Sequence, residues 1–174
     1  MISPPVDSAS AHDIWIADAG PLIILAKAGY LHLLDQNGRQ VLIPSRVVRE
    51  ISKGPAEDPA RLAIESGWGT QVPVSYIPVR VRALGILGPG EQHALALALK
   101  YPGSMVLLDD DKGRKAANKL NLSVIGTLGL AVLSKRKGNI SLVIPVFQSL
   151  ISAGLYVDDR VLQGLALNVG EDWR

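Results

Sequence analysis

Short apolar runs alternate with helical segments along most of this chain, and this alternation constrains its fold more than any other feature. The runs cover residues 14–16, 41–43, 105–108 and 123–125, and a helical pattern follows each of them. Strands separated by helices are typical of βαβ units, in which neighbouring strands are parallel and helices cover the sheet. We therefore predict an α/β fold with a parallel central sheet.

Proline, glycine and serine residues indicate where the helices begin. Pro21 is expected at the first helical position after Gly20, and Ser45 is expected to cap the next helix. Residues 72–79 contain Pro73 and Pro78, which restrict them to an edge strand or a loop. The predicted helices cover residues 22–28, 46–52, 60–66, 91–100, 112–120, 127–136, 143–153 and 158–167.

Composition limits the class of protein. The chain has 174 residues, of which 48% are hydrophobic, so we expect one folded domain. It contains no Cys, which excludes disulfides, Cys-ligated metals and a thiol nucleophile and fits a reducing cytoplasm. Its longest uncharged stretch, residues 140–157, is interrupted by Pro145 and Gly154, so we interpret it as buried structure and expect no membrane association.

Polar residues follow three of the predicted strands. Asp18 follows the first strand, Asp109 and Asp110 follow the strand at 105–108, and Thr127 follows the strand at 123–125. In open parallel sheets, ligand sites form outside the carboxyl ends of the strands. We therefore expect these side chains to lie on one rim of the sheet.

Two further acids, Glu50 and Glu91, lie in predicted helices that follow Pro44 and Gly90. Crowded carboxylates raise one another's pKa unless a cation is present. An all-oxygen ligand set favours Mg²⁺ or Mn²⁺. Such ions support hydrolysis of phosphodiesters, so four or more carboxylates in one cleft would indicate metal-dependent phosphoryl transfer to water.

Each acid also has a structural interpretation. One of the residues 109–111 is expected to cap the following helix, Glu91 is favoured by the helix dipole, and Glu50 could be a surface acid. If Gly20 is the N-cap of the first helix, Asp18 has no capping role, which favours a functional one.

Positive charge is concentrated beside the Asp triplet. Residues 109–137 carry seven basic and three acidic residues, although the whole chain has a net charge of only +2. Lys112, Arg114 and Lys115 follow the triplet directly. A solvated helix face explains these charges, and so does a metal site that binds a polyanion.

At these residues the sequence resembles the PIN-domain family, in particular a prokaryotic branch of nucleic-acid-binding proteins related to the ribonucleases of type II toxin–antitoxin pairs. The matching segments occur in order: residues 16–23, Ile43-Pro44 with Val47 and Glu50-Ile51, residues 88–91, residues 107–110 with Arg114, and residues 125–129. The resemblance implies a three-layer α/β/α fold. It implies one domain over residues 14–168, an N-terminal extension at 1–13 and a tail at 169–174.

The resemblance also implies an endoribonuclease site that uses Mg²⁺ or Mn²⁺. By position, Asp18, Glu50, Glu91 and Asp110 match the family's catalytic acids, and Asp18, Glu91 and Asp110 would bind metal, with Asp109 as a neighbouring ligand. Thr127 would support the site, while Lys112, Arg114 and Lys115 would bind the RNA backbone. Relatives form homodimers and pair with antitoxins, so both are expected partners.

The sequence departs from the family at one position. Many PIN nucleases have Asn, Ser or Thr two residues after the first Asp, and this chain has Gly20. A binding module for RNA or an antitoxin, on the same fold but with weak or no activity, is therefore the second hypothesis. A receiver-like or phosphatase-like domain is a third, but residues 18–20 lack the paired acids that it requires.

Overall fold

The chain folds around a five-stranded sheet in which every pair of neighbouring strands is parallel. The computed structural model describes residues 13–174, so all but the last residue of the predicted N-terminal extension lie outside it. The strands are β1 (Ile14–Ala17), β2 (Gln40–Pro44), β3 (Thr70–Val72), β4 (Met105–Leu107) and β5 (Ser123–Ile125). Their order in the sheet is β3-β2-β1-β4-β5, so β1 is central and the direction of winding reverses between β1 and β4.

The α-helices of the described region cover this sheet. They are α1 (Ala19–Ala28), α2 (Ser45–Ile51), α3 (Pro59–Glu65), α4 (Val79–Arg82), α5 (Pro89–Lys100), α6 (Asp111–Lys119), α7 (Thr127–Arg136), α8 (Ile144–Ser152) and α9 (Asp159–Leu167). The predicted helices are all present. Two predicted helix starts are wrong, because α1 begins at Ala19 instead of Pro21, and Pro44, not Ser45, is the N-cap of α2. The short helix α4 was not predicted.

Two apolar cores lie on opposite faces of the sheet. Side chains alternate along each strand, so Trp15 and Ala17 of β1 join one core while Ile14 and Ile16 join the other. Helices α1, α2, α3, α7, α8 and α9 contribute to the first core, and α4, α5 and α6 contribute to the second. This arrangement confirms the three-layer α/β/α fold.

The uncharged stretch at residues 140–157 forms only the nine-residue helix α8 and its flanking turns. Across residues 13–174, no helix is long and apolar enough to cross a membrane.

A buried carboxylate fastens the end of the chain to the first core. Glu171 Oε1 accepts hydrogen bonds from Lys135 Nζ and from the amide of Val143 at 2.7 Å, and Oε2 accepts one from the amide of Ile144 at 3.0 Å. Burial raises the pKa of Glu171, but these hydrogen bonds outweigh it and hold the pKa below its ordinary value. Glu171 therefore caps α8 and stabilises the fold only while it is ionised.

Replacing this carboxylate should destabilise the protein. We expect Glu171→Ala to lower the free energy of unfolding by about 2–4 kcal/mol, because it leaves Lys135 and two amides without their acceptor. The loss should shrink as pH falls through the lowered pKa of Glu171, where wild type loses the same interaction. Urea denaturation at neutral and acidic pH measures both effects. The exposed Glu57→Ala is the control, and an equal loss in both variants would contradict the assignment.

Candidate carboxylate site

Four predicted residues lie together at the carboxyl ends of the central strands. Ala17 of β1 pairs with Leu107 of β4, and the amide of Asp18 donates to the carbonyl of Leu107 at 3.3 Å. Asp109 accepts a hydrogen bond from the amide of Thr127 at 2.7 Å, which joins the end of β4 to the start of α7. The rim predicted for Asp18, Asp109, Asp110 and Thr127 is therefore present. It lies where the winding of the sheet reverses, the usual place for a ligand crevice.

Asp18 is the N-cap residue of α1, but its side chain makes no capping hydrogen bond. This corrects the expectation that Gly20 is the N-cap, since Pro21 is accommodated as the third residue of the helix. Within the described part of the chain, Asp18 Oδ1 is buried and has no hydrogen-bond partner. A buried polar atom without a partner costs free energy, so its retention calls for an explanation.

Glu50 approaches Asp18 across a glycine. A Cβ placed on Gly90 would lie 2.6 Å from Glu50 Oε2 and 2.9 Å from Asp18 Oδ1, so these two oxygens face the same small space. The other oxygen of Glu50, Oε1, lies 3.5 Å from Nε of Arg46, one turn earlier on α2. The contact with Arg46 holds one end of the carboxylate while the other end faces Asp18.

Glu91 lies in the first turn of α5, where one of its oxygens caps the backbone at the start of the helix. Oε2 accepts a hydrogen bond from the amide of Gly88 at 2.8 Å. Oε1 lies 2.9 Å from the place that a Cβ on Gly113 of α6 would take. Glu91 is therefore fixed at α5 and faces the start of α6.

The two aspartates after β4 have different surroundings. Asp110 caps α6, since its Oδ2 accepts from the amides of Lys112 at 2.9 Å and Gly113 at 3.1 Å. Both oxygens of Asp109 are engaged by Thr127, whose amide donates to Oδ1 and whose hydroxyl donates to Oδ2. The predicted cap among residues 109–111 is thus Asp110. Asp109 is held by the fully buried Thr127.

The neighbouring acids affect the pKa of Asp18. Burial is the largest cause that raises the pKa of Asp18, to about 7, and Glu91, Glu50 and Asp109 raise it further against the opposing effect of the Ala19 amide. Burial also raises the pKa of Glu91, and the charges of Asp110 and Glu50 raise it further. Ionisation of Asp18 and Glu91 is therefore unfavourable in this environment unless a cation is present.

The donors suit a hard cation, although they do not form a complete ligand set. Across residues 13–174, no three acidic or histidine side chains are arranged to hold a metal ion. Asp18 Oδ1, Glu50 Oε2, Glu91 Oε1 and Asp110 Oδ1 nevertheless accept no hydrogen bond from the described residues. Oxygen-only donors match the preferences of Mg²⁺ and Mn²⁺.

Three glycines belong to the site and were not assigned a role from the sequence. Gly90 separates Asp18 from Glu50, Gly113 lies against Glu91, and a Cβ on Gly126 would lie 3.0 Å from Asp109 Oδ1. Gly90 and Gly126 occur in the segments that resemble the family, which was the available signal. Gly20, by contrast, has no atom within 4 Å of its Cβ position, so a side chain would fit there.

The predicted RNA-binding residues lie on the exposed first turns of α6. Lys112, Arg114 and Lys115 are all exposed, and Lys115 Nζ lies 2.6 Å from Asp111 Oδ2. Within the region that the structure describes, Lys112 and Arg114 form no salt bridge. These two cations are available to a polyanion beside the acids.

Removing the charge of Asp18 should stabilise the metal-free protein. Because the pKa of Asp18 is raised from 3.8 to about 7, the folded state binds the proton more tightly than the unfolded state, and stability falls as pH rises between those values. We expect Asp18→Asn to raise the free energy of unfolding by about 1–3 kcal/mol at pH 8 and by less near pH 4. Urea denaturation in a chelator measures this gain.

Asp109→Asn is the contrasting variant for this measurement. It removes a carboxylate oxygen to which Thr127 donates, so it should destabilise the protein at both pH values. A loss of stability in Asp18→Asn at pH 8 would show that the Asp18 carboxylate is satisfied in the native state.

Comparison with known protein families identifies the family of this chain. The family model described as PIN domain matches residues 14–171, which include every acid of the site. A search of curated proteins found no match. The fold, the rim of acids and the match over nearly the whole chain lead to one conclusion: this chain belongs to the PIN-domain family.

Proposed function

We propose that this protein is a metal-dependent endoribonuclease that hydrolyses RNA phosphodiester bonds at the carboxylate site. The observation that carries the proposal is the buried Asp18 Oδ1, which has no hydrogen-bond partner in the described region and lies at the end of the central strand beside other acids. PIN domains are generally nucleases and typically use divalent metals. The donor chemistry of the site supports the same activity here.

Asp18, Glu50, Glu91 and Asp110 would hold Mg²⁺ or Mn²⁺ through the oxygens that accept no hydrogen bond. Such an ion, when bound, activates water as a nucleophile and stabilises negative charge on the phosphodiester. Asp109 has fewer lone pairs left for a metal, since Thr127 donates a hydrogen bond to each of its oxygens. Its charge still adds to the field at Asp18, and Thr127 fixes its orientation.

The chain's own contacts preorganise the site. Arg46 orients Glu50, the amide of Gly88 orients Glu91, and the first amides of α6 orient Asp110. Each contact fixes a carboxylate through one oxygen, which lowers the entropy lost when a ligand is bound. A preorganised set of charges is what catalysis of phosphoryl transfer requires.

The basic residues would place the RNA backbone over these acids. Lys112 and Arg114 lack salt bridges in the described region, and Lys115 could exchange Asp111 for a phosphate. Contacts of this kind bind any sequence and weaken with salt. In this proposal the basic residues orient the RNA strand, and the acids carry out the cleavage.

The biological setting that we propose is a cytoplasmic type II toxin–antitoxin pair, with this protein as the toxin and as a homodimer. The basis is the resemblance to toxin ribonucleases together with the exposed apolar side chain of Leu167 on α9, which is 59% exposed. Apolar surface of this kind suits a partner or a second copy of the chain. An antitoxin would be the cognate protein partner.

A second candidate function is binding of nucleic acid or an antitoxin with little or no cleavage. Gly20 favours it, because the position two residues after Asp18 carries a polar side chain in many PIN nucleases. The structure leaves this position open, so nothing replaces the missing group.

Cleavage of a structured RNA in Mn²⁺ tests the proposal. Wild type should produce defined fragments, and both Asp18→Asn and Asp110→Asn should reduce the rate by about 100-fold or more, because each removes a charge that would hold the metal. Asn is also a good N-cap, so Asp110→Asn should preserve α6. Gel analysis of end-labelled RNA with and without chelator measures the rates.

The exposed Glu57→Gln is the matched control and should cleave at the wild-type rate. Gly20→Ser in the same assay separates the two candidate functions: a marked gain over wild type indicates that Gly20 weakens a functional nuclease. Wild-type protein that cleaves no faster than Asp18→Asn would overturn the proposed activity.

A further inference from the structure

A pocket of about 370 Å³ adjoins the carboxylate site along the edge strand of the sheet. It is bounded by β5, the start of α7 and the segment from residue 155 to 165. Asp109 and Arg114 lie at its polar end. Apolar side chains form most of the remaining wall: Val124, Ile125, Leu128, Leu155, Val161 and Leu165. The pocket therefore combines an apolar interior with a charged end next to the proposed reaction centre.

The cation at the polar end has no fixed partner. Arg114 is exposed and forms no salt bridge in the part of the chain that the structure describes. Its Nη1 lies 2.6 Å from the place that a Cβ on Gly126 would occupy, and Asp109 Oδ1 lies 3.0 Å from the same place. The buried Gly126 thus allows the guanidinium to lie against the pocket floor, where it can bind an anion.

An aromatic ring lies in solvent at the same pocket. Tyr156 is 100% exposed, although the chain contains only eight aromatic residues and most large apolar side chains are buried. Val161 beside it is 48% exposed. An aromatic face in water next to an apolar wall and an uncommitted guanidinium provides the groups that bind a nucleotide: a stacking surface for the base and a cation for the phosphate.

We propose that this pocket receives one unpaired base of the RNA strand, stacked on Tyr156, with an adjacent phosphate on Arg114. The inference rests on the proposed function, because it takes RNA as the substrate that reaches Asp109. The volume is at the lower end of the range for ligand pockets, which fits a single nucleotide and excludes a duplex. The pocket would select single-stranded sites and fix which phosphodiester lies over the acids.

Binding of single-stranded RNA in a chelator tests the pocket without cleavage. The probe is a fluorescein-labelled RNA octamer of mixed sequence at low salt, with fluorescence anisotropy as the readout. Tyr156→Ala should weaken binding roughly 10-fold, within the range that loss of one base–aromatic stack produces, and Tyr156→Phe should bind like wild type. Because the ring is fully exposed, neither change should alter thermal unfolding.

Tyr76→Ala is the matched control. Tyr76 is a second exposed tyrosine, 57% exposed, and it follows β3 at the opposite edge of the sheet. The Tyr76→Ala variant should bind the RNA octamer with the wild-type affinity. If both variants lose affinity equally, the ring of Tyr156 has no special role and the inference fails.

Octamers with one abasic residue locate the stacked base. Wild type should lose affinity at one position of the abasic site, and Tyr156→Ala should be insensitive at that position, because the variant already lacks the stack. Equal losses in both proteins, or RNA affinity in Tyr156→Ala that equals that of wild type, would overturn the inference. Wild-type affinity in Tyr156→Ala would instead indicate that the pocket binds an apolar segment of a protein partner.

The two proposals fail in different ways. Cleavage in Mn²⁺ that depends on Asp18 but not on Tyr156 would retain the nuclease and reject the base pocket. RNA binding that depends on Tyr156 without any cleavage would retain the pocket and reject the nuclease.

Discussion

The site depends on one unfavourable feature, which is the burial of Asp18 Oδ1 without a hydrogen-bond partner among the described residues. Asp18 follows the central strand, and both cores of the protein pack against that strand. Burial and three neighbouring acids raise the pKa of Asp18 to about 7, which is a cost that the fold retains. A bound cation would remove this cost and stabilise the ionised carboxylate.

The topology of the sheet explains why acids from several elements lie near Asp18. The reversal between β1 and β4 opens a crevice at their carboxyl ends, and the helices that follow the strands begin there. Glu50, Glu91 and Asp110 come from α2, α5 and α6, so three separate elements deliver one acid each. Gly90 leaves space for Glu50 and Asp18, Gly113 leaves space for Glu91, and Gly126 leaves space for Asp109. The site is therefore a product of tertiary packing and not of one local motif.

The sequence predicted the fold and the rim of the site well, because both follow from local patterns. Apolar runs identified four strands, and the rule for parallel sheets placed Asp18, Asp109 and Thr127 on one edge. The start of α1 was wrong because a proline can occupy any residue of the first helical turn, and its position alone does not locate the N-cap. The same error assigned capping to Gly20.

Features that depend on contacts between distant segments could not be predicted. Nothing local indicates that Glu171 caps α8, since its partners are Lys135 and the amides of residues 143 and 144. The difference between Asp109 and Asp110 also required the structure, because the two are adjacent and identical in chemistry. Thr127 donates a hydrogen bond to Asp109, whereas an amide of α6 donates one to Asp110. The exposure of Tyr156 beside the site is likewise a property of the packed chain.

The location of a bound metal tests the central claim most directly. Crystals of the protein soaked in Mn²⁺ would show the ion by its anomalous scattering. We expect an ion about 2.0–2.2 Å from Asp18 Oδ1 with further ligands from Glu50, Glu91 or Asp110. An ion bound elsewhere, or Asp18 Oδ1 left without a metal contact at saturating Mn²⁺, would contradict it.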